Sequence, residues 1–190
     1  MYFIKESFVY SHEVKQSKFI AHLCPMHDYQ ITLTQLKEQH PKARHFVTAF
    51  RYLNEYSQIV EHSSDDGEPK GTSGKPSLMV LQGADMIECA VVVVRYFGGT
   101  KLGTGGLVRA YSDAVNGVLE SAELFEYKKE KSLSIEMEYS QLRLVEYECE
   151  LFEITILEKH FDEKIIYLLK AEEQNMDDFL EKVQRAIKVL

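Results

Sequence analysis

The feature that most constrains the fold is a buried strand that leads through a glycine-rich loop into a long amphipathic helix. Residues 89–97 are dominated by consecutive valines, and β-branched residues favour the extended backbone of a strand. After the loop, apolar residues recur at helical spacing from Leu107 to Ala122, whereas Arg109 and several polar residues lie on the opposite face. The spacing therefore predicts a strand–loop–helix unit whose helix starts near Gly105.

Shorter patterns predict the elements that precede this unit. In chain order they are a strand at 18–24, a helix at 29–39 capped by Asp28, strands at 45–52 and 57–61 around a turn at Asn54, and a short helix at 77–82. The aromatic residues near the N-terminus can either stack on bases or pack a sheet: Tyr2, Phe3, Phe8 and Tyr10.

A charged segment without apolar pattern, residues 127–131, is expected to link two domains, 1–126 and 132–190. In the second domain the patterns predict a strand at 132–138, a helix at 141–151, strands at 153–159 and 164–171, and a helix capped by Asn175 that runs through Ile187. This order predicts an α+β fold with a ferredoxin-like C-terminal sandwich, whose last strand at 187–190 is short or absent.

Composition limits the possible functions. Of the net charge of −8, a net −7 falls in residues 132–190, which hold 14 acidic and seven basic residues. Such a surface repels nucleic acid, so phosphate binding has to come from a local patch in the first domain, whereas the acidic domain can meet a basic protein partner. Three separated cysteines indicate a reducing cytoplasm, the N-terminus lacks the features of a signal peptide, and no apolar run is long enough to span a membrane.

The glycine-rich loop has the composition of an anion-binding site. It joins the strand to a helix whose first N–H groups lack internal partners and carry partial positive charge. Five glycines allow close approach of a ligand, and three cations can converge on one anion: Gly98, Gly99, Gly103, Gly105 and Gly106, with Arg95, Lys101 and Arg109. The alternative is a tight turn without a ligand, and the spacing matches neither a Walker loop nor a dinucleotide-binding fingerprint.

A second polar loop, residues 64–76, is equally rich in functional groups. Its candidate site residues are three carboxylates, two hydroxyls and two lysines: Asp65, Asp66, Glu68, Thr72, Ser73, Lys70 and Lys75. The carboxylates can bind Mg²⁺, pair with the arginines, or belong to a solvated turn. The histidines show no zinc-ligand spacing, and His22 with Cys24 is more typical of strand packing than of a catalytic dyad.

These two loops resemble the signature segments of the IMPACT/YigZ family. The resemblance rests on SDDGEPKGTSGKP at 64–76 and VVVRYFGGTKLGTGGLVRAY at 92–111, with weaker matches at 17–21, at Pro25 and at 43–45, which include Arg44 and His45. It covers about residues 1–125, and the remainder fits the small C-terminal domain of the family's bacterial two-domain branch by pattern.

The resemblance implies a fold and a cellular process. The N-terminal domain would be a ribosomal protein S-five domain-two-like α/β sandwich, similar also to domain IV of elongation factor G, and the C-terminal domain would be similar to domain V of that factor. Those relatives contact RNA on the ribosome, and eukaryotic family members act in translational control by interfering with activation of a nutrient-sensing kinase. The resemblance supplies no catalytic residues, metal or cofactor to transfer to this chain.

The leading expectation is a non-enzymatic, cytoplasmic, monomeric protein that binds RNA or the ribosome through the glycine-rich loop and regulates translation. One alternative is an enzyme that acts on a small phosphorylated or carboxylated metabolite, with Asp65, Asp66 and Glu68 as metal ligands or as acid and base. Another is a protein-interaction module that uses the acidic C-terminal domain.

Overall fold

A computed structural model describes residues 1–190, and its contacts divide the chain into two units, Met1–Tyr127 and Lys128–Leu190. Both units combine helices with antiparallel sheets, which confirms the predicted α+β class. None of the helices has the length and apolar character needed to cross a membrane.

The first unit contains a five-stranded antiparallel sheet, a two-stranded ribbon and three helices. Its strands are β1 (Tyr2–Phe3), β2 (Phe8–Val14), β3 (Ser17–Pro25), β4 (His45–Leu53), β5 (Ile59–Ser64), β6 (Cys89–Tyr96) and β7 (Phe125–Glu126), and its helices are α1 (Tyr29–Gln39), α2 (Gly74–Gly83) and α3 (Gly103–Glu120). The sheet order is β2-β3-β6-β4-β5, and β1 pairs with β7.

The central strand β6 is buried on both faces, because side chains alternate along a strand. Val91 and Val93 belong to the core that the sheet forms with α2 and α3, whereas Val92 and Val94 belong to the core under α1. Arg95 continues the first of these two faces and lies in register with Phe19 on β3 and His45 on β4. The alternation therefore places a guanidinium among apolar side chains beneath α3.

Several boundaries differ from the predictions for local reasons. Asp28 ends a 3-10 turn, Met26–Asp28, and occupies the predicted N-cap position of α1, but its side chain makes no cap hydrogen bond. β5 begins at Ile59 rather than at residue 57, because Ser57 has a positive φ of 57° within the turn at Asn54. The strand β2 escaped prediction because its residues alternate weakly between apolar and polar types.

The N-terminal aromatic residues pack within the first unit. The ring of Phe3 lies 5.9 Å from that of Phe125, and Phe8 packs against the main core. Tyr10 lies so close to α3 that a Cβ on Gly117 would come within 2.2 Å of its ring. Of the two sequence alternatives, packing is the one that these contacts support.

The second unit has the βαββαβ order of a ferredoxin-like sandwich. Its elements are β8 (Glu130–Met137), α4 (Leu142–Leu151), β9 (Thr155–Phe161), β10 (Ile165–Glu172), α5 (Glu173–Val183) and β11 (Ile187–Val189). The sheet order is β11-β8-β10-β9, so the short final strand is present and pairs with β8.

Three predicted limits in this unit are corrected. α5 begins at Glu173, so Asn175 lies inside its first turn and is not the N-cap, and the helix ends at Val183 because Ile187 belongs to β11. β8 begins at Glu130, within the segment predicted as a linker, because Glu130 pairs in register with Glu172 on β10.

The glycine-rich loop after β6 packs closely against the turn between β2 and β3, and a substitution at Gly98 tests this contact. A Cβ on Gly98 would lie 2.0 Å from the backbone carbonyl carbon of Gln16, so Gly98→Ala forces the loop away from the β2–β3 turn. We expect the free energy of unfolding to fall by about 2 kcal/mol, as in an overpacked core, when it is measured by urea denaturation.

Gly105→Ala is the matched control, because a Cβ there meets open space within α3. Alanine is a better helix former than glycine, so this variant should be as stable as the wild type or more stable by up to about 1 kcal/mol. Equal stabilities of the two variants would contradict the close approach at Gly98.

Candidate functional site

A pocket of about 470 Å³ opens where β6 ends and α3 begins. Its walls come from the start of β4, the loop after β5, the end of β6, the glycine-rich loop and the first turns of α3. The lining residues combine cations, one carboxylate and apolar groups: Arg44, His45, Glu68, Pro69, Arg95, Phe97, Lys101, Leu102, Gly103, Thr104 and Leu107.

A buried ion pair forms the floor of this pocket. The Nη1 atom of Arg95 donates a hydrogen bond to Oε1 of Glu68, and the Tyr111 hydroxyl donates to the same oxygen at 2.8 Å. Burial, and then the negative charge of Glu68, raise the pKa of Tyr111 far above its usual range, so its hydroxyl remains a donor. Glu68 is consequently held as an acceptor by donors from the central strand and from α3.

Glu68 does not use all the donors of Arg95. Arg95 is only 7% exposed, and its Nε atom is buried without a hydrogen-bond partner. A buried donor without a partner is costly, and a guanidinium presents its donors in a fixed fork that suits phosphate or carboxylate oxygens. Glu68 engages only Nη1, so the second terminal nitrogen of Arg95, Nη2, makes no hydrogen bond within the protein, and Arg95 lines the pocket.

Further positive groups surround the same pocket. Arg44 and Lys101 are both exposed and line it. The Nδ1 atom of His45 lies 2.8 Å from the carbonyl oxygen of Asp66, so that nitrogen carries the proton, and Nε2 lies 4.0 Å from Oε1 of Glu68. Arg44, Arg95 and Lys101 outnumber the single carboxylate, Glu68, which gives the pocket a net positive charge.

The start of α3 adds main-chain donors. Gly103 and Thr104 line the pocket, and the N-cap residue Leu102 offers no side-chain acceptor to the first N–H groups. The free N–H groups and the helix dipole favour an anion at this end of an 18-residue helix.

Asp65 and Asp66, by contrast, hold the loop after β5 in place and do not line the pocket. The carboxylate of Asp65 accepts hydrogen bonds from Gly71, Ser73 and Gly74 at 2.7–3.2 Å, which caps the start of α2 three residues before the predicted position. Oδ2 of Asp66 accepts the N–H of Phe46 at 2.6 Å. The chain contains no group of three or more His, Cys, Asp or Glu side chains placed to hold a metal ion.

Arg109 lies apart from the other predicted cations. It lines a second pocket, of about 280 Å³, together with His12, Lys15 and Asp113. The expected convergence of three cations is therefore reduced to Arg95 and Lys101, because Arg109 projects from another side of α3.

The remaining predicted residues support the loops. Lys70 and Lys75 are exposed and line neither pocket. The hydroxyl of Thr72 donates to the carbonyl of Pro69 at 2.6 Å, which closes a turn. Among the glycines, Gly99 and Gly103 have φ values of 87° and 73°, Gly105 faces open space, and a Cβ on Gly106 would lie 3.0 Å from Leu102.

His22 and Cys24 do not form a catalytic dyad with an activated thiol. Burial, aided by His40, lowers the pKa of His22 to about 4. Burial raises the pKa of the Cys24 thiol to about 11. A neutral imidazole beside a protonated thiol fits the packing alternative.

Sequence reasoning gave no site role to Phe97, Leu102 or Tyr111. Phe97 extends the valine-rich strand pattern, and Tyr111 falls within the apolar stripe of the helix, so both resemble ordinary core residues in the sequence. Only the pairing of Tyr111 with Glu68, 43 positions earlier, reveals its place at the site.

Comparisons with known proteins match both units. The family described as Impact N-terminal domain matches residues 15–119, and a domain of unknown function, DUF1949, matches residues 135–186.

An IMPACT family member of Haemophilus influenzae is 40% identical over 179 residues, which cover 92% of this chain and 86% of that protein. IMPACT family member YvyE of Bacillus subtilis is 33% identical over 181 residues, 94% of this chain and 82% of that protein. A crystal structure of a hypothetical protein, 28% identical, superposes with a TM-score of 0.67 over 100% of this chain and 95% of that one.

The Asp65 cap predicts a pH-dependent loss of stability on substitution. Partial burial raises the pKa of Asp65, but the hydrogen bonds from Gly71, Ser73 and Gly74 outweigh it and hold the pKa below its usual range. Asp65→Asn loses the charged acceptor, and we expect the free energy of unfolding to fall by about 1 kcal/mol at pH 7, a modest value because solvent screens the carboxylate.

The sign of the pH dependence follows from the lowered pKa. The carboxylate stabilises the folded state fully above the unfolded-state pKa of about 3.9, and this contribution disappears as the pH falls through the lower folded-state value. Urea denaturation of wild type and variant should therefore show a difference at pH 7 that narrows below about pH 4. Asp162→Asn is the control, since that exposed carboxylate makes no hydrogen bond or ion pair, and an equal effect there would contradict the cap.

Proposed function

Because the chain belongs to the IMPACT family, we propose that it is a non-enzymatic, translation-linked protein that binds RNA or the ribosome. The proposed contact is a backbone phosphate held in the pocket at the start of α3. The family resemblance supplies the link to translation, and the pocket supplies the physical reason for phosphate.

The observation that carries the proposal is that several independent anion-binding groups, both cationic side chains and main-chain N–H donors, line one pocket. Arg95 lines the pocket with an Nη2 that makes no hydrogen bond within the protein. Arg44, directly before β4, and Lys101, in the glycine-rich loop, also line it, and α3 adds its N-terminus. Guanidinium groups and main-chain N–H groups are common phosphate partners in complexes with nucleic acids.

The negative net charge of the chain favours a local contact with RNA over a contact that covers a large part of the protein surface. The net charge is −7 in residues 132–190 and −1 in the first 131 residues. Non-specific adhesion to nucleic acid depends on many phosphate contacts, which an acidic surface opposes. Binding by this chain would therefore depend on a few contacts in one pocket of the first unit.

A second candidate is an enzyme that acts on a small phosphorylated or carboxylated metabolite. His45 and Glu68 line the same concave pocket, with 4.0 Å between Nε2 and Oε1, and its volume of about 470 Å³ lies in the range of small-ligand sites. Saturable stabilisation by a small phosphorylated compound in a thermal-shift assay, without any binding to RNA, would favour this candidate.

The leading proposal predicts that two exposed cations of the pocket contribute to RNA binding. The double variant Arg44→Ala/Lys101→Ala should bind structured RNA or ribosomes about tenfold more weakly, because it lacks two phosphate partners. Its affinity should also depend less on salt, with the slope of log K against log salt reduced by up to about 1.8 for two contacts. Fluorescence anisotropy over a series of salt concentrations measures both quantities.

The matched control is Lys70→Ala/Lys75→Ala, which removes the same charge from exposed positions outside both pockets. Arg109→Ala tests the second pocket separately. Unchanged binding by the Arg44/Lys101 variant, or an equal loss in the control, would contradict phosphate binding in the first pocket.

A further inference from the structure

The pocket at the start of α3 has features that a phosphate alone does not require. Resting on the proposed function, we infer that it takes one unpaired nucleotide of the RNA, with the base stacked on Phe97. The phosphate of that nucleotide lies against Arg95, Lys101 and the start of α3.

Phe97 is the first of these features. It follows β6 directly and lines the pocket, yet 54% of the residue is exposed. Aromatic side chains at nucleic-acid sites stack on unpaired bases in a way that tolerates any sequence, because every base has a π-face. An aromatic ring beside a cluster of cations is therefore suited to a base and its phosphate together.

Arg95 connects the aromatic and the anionic parts of the pocket. Its guanidinium carbon lies 5.4 Å from the centroid of the buried Phe19 ring and 5.9 Å from that of Phe97. The ion pair to Glu68 and the contact with the buried Phe19 hold the guanidinium in place, and the exposed ring of Phe97 lies beside it. A nucleotide stacked on Phe97 thus has its phosphate within reach of a fixed cation.

The other walls are suited to a base rather than to phosphate. Pro69, Leu102 and Leu107 line the pocket and are apolar. The second pocket has cations too, in Lys15 and Arg109, but it has no aromatic lining residue apart from His12, and it is smaller, about 280 Å³ against 470 Å³. The first pocket therefore has the chemistry for a whole nucleotide, and the second does not.

The small volume of the pocket indicates that the nucleotide is unpaired. A volume of about 470 Å³ is that of a small-ligand cavity, whereas proteins that bind double-stranded RNA contact an extended surface over successive grooves. In a duplex the bases are stacked on one another and cannot enter a cavity. A loop, a bulge or a strand end can present a splayed base to Phe97.

The experiment compares three RNA probes by fluorescence anisotropy. They are a single strand of about ten nucleotides, which is within the usual site size, a blunt duplex of the same sequence, and a ribose-phosphate oligomer of the same length without bases. Phe97→Ala should weaken binding of the single strand about tenfold. It should leave the affinity for the base-free oligomer and the slope of the salt dependence unchanged, because both report phosphate contacts.

Two further variants control for non-specific effects. Phe97→Tyr retains an aromatic face and should bind the single strand within about twofold of wild type. Phe161→Ala removes a phenylalanine of matched exposure, 55%, from β9 in the second unit, and should bind as wild type does. Thermal melts of each variant check that all are folded, as expected for an exposed ring.

The outcomes separate this inference from the function on which it rests. If Arg44→Ala/Lys101→Ala weakens binding but Phe97→Ala binds the single strand as wild type does, phosphate binding stands and base stacking is overturned. Base stacking is also overturned if Phe97→Ala loses as much affinity for the base-free oligomer as for the single strand. A preference of the wild type for the duplex would overturn it too. If the wild type binds none of the probes, the proposed function fails and the inference fails with it.

Discussion

Much of the first unit's candidate site depends on the hydrogen bonds that one oxygen of Glu68 accepts from Arg95 and Tyr111. They join the loop after β5 to the central strand and to the helix α3. Since 27 and 43 positions separate Glu68 from these partners, the loop is positioned by tertiary contacts rather than by its own conformation. Removal of the carboxylate would leave a buried guanidinium without a counter-charge, which is strongly destabilising.

The same arrangement accounts for the electrostatic character of the pocket proposed to bind phosphate. Burial keeps water away from Arg95, and electrostatic interactions are stronger where the local dielectric is low. Glu68 balances the charge of Arg95 through Nη1 and leaves Nη2 without a partner in the protein, so the guanidinium keeps a donor that Glu68 does not use. Arg44, Lys101 and the start of α3 then give the opening its positive character.

Local sequence patterns predicted most of the fold because each pattern reflects one physical preference. The valine run marks the buried strand β6, helical spacing marks α3, and the βαββα order indicates the ferredoxin-like unit. The errors lie where a side chain acts at a distance or a turn intervenes. Asp28 occupies the N-cap position of α1 without a side-chain cap hydrogen bond, and Asn175 lies inside α5. The real cap of α2 comes from Asp65, nine positions before Gly74.

The sequence by itself determined the family, the α+β class and the two loops that contain the candidate site, because these depend on residue type and on spacing along the chain. Tertiary structure decided which side chains of those loops meet. It brought Glu68 to Arg95 and Tyr111, directed Arg109 to a different pocket, and left Phe97 exposed beside the cations. The physical reason is that strand alternation and helix rotation fix the direction of each side chain, and these directions intersect in space only after the sheet and α3 have packed.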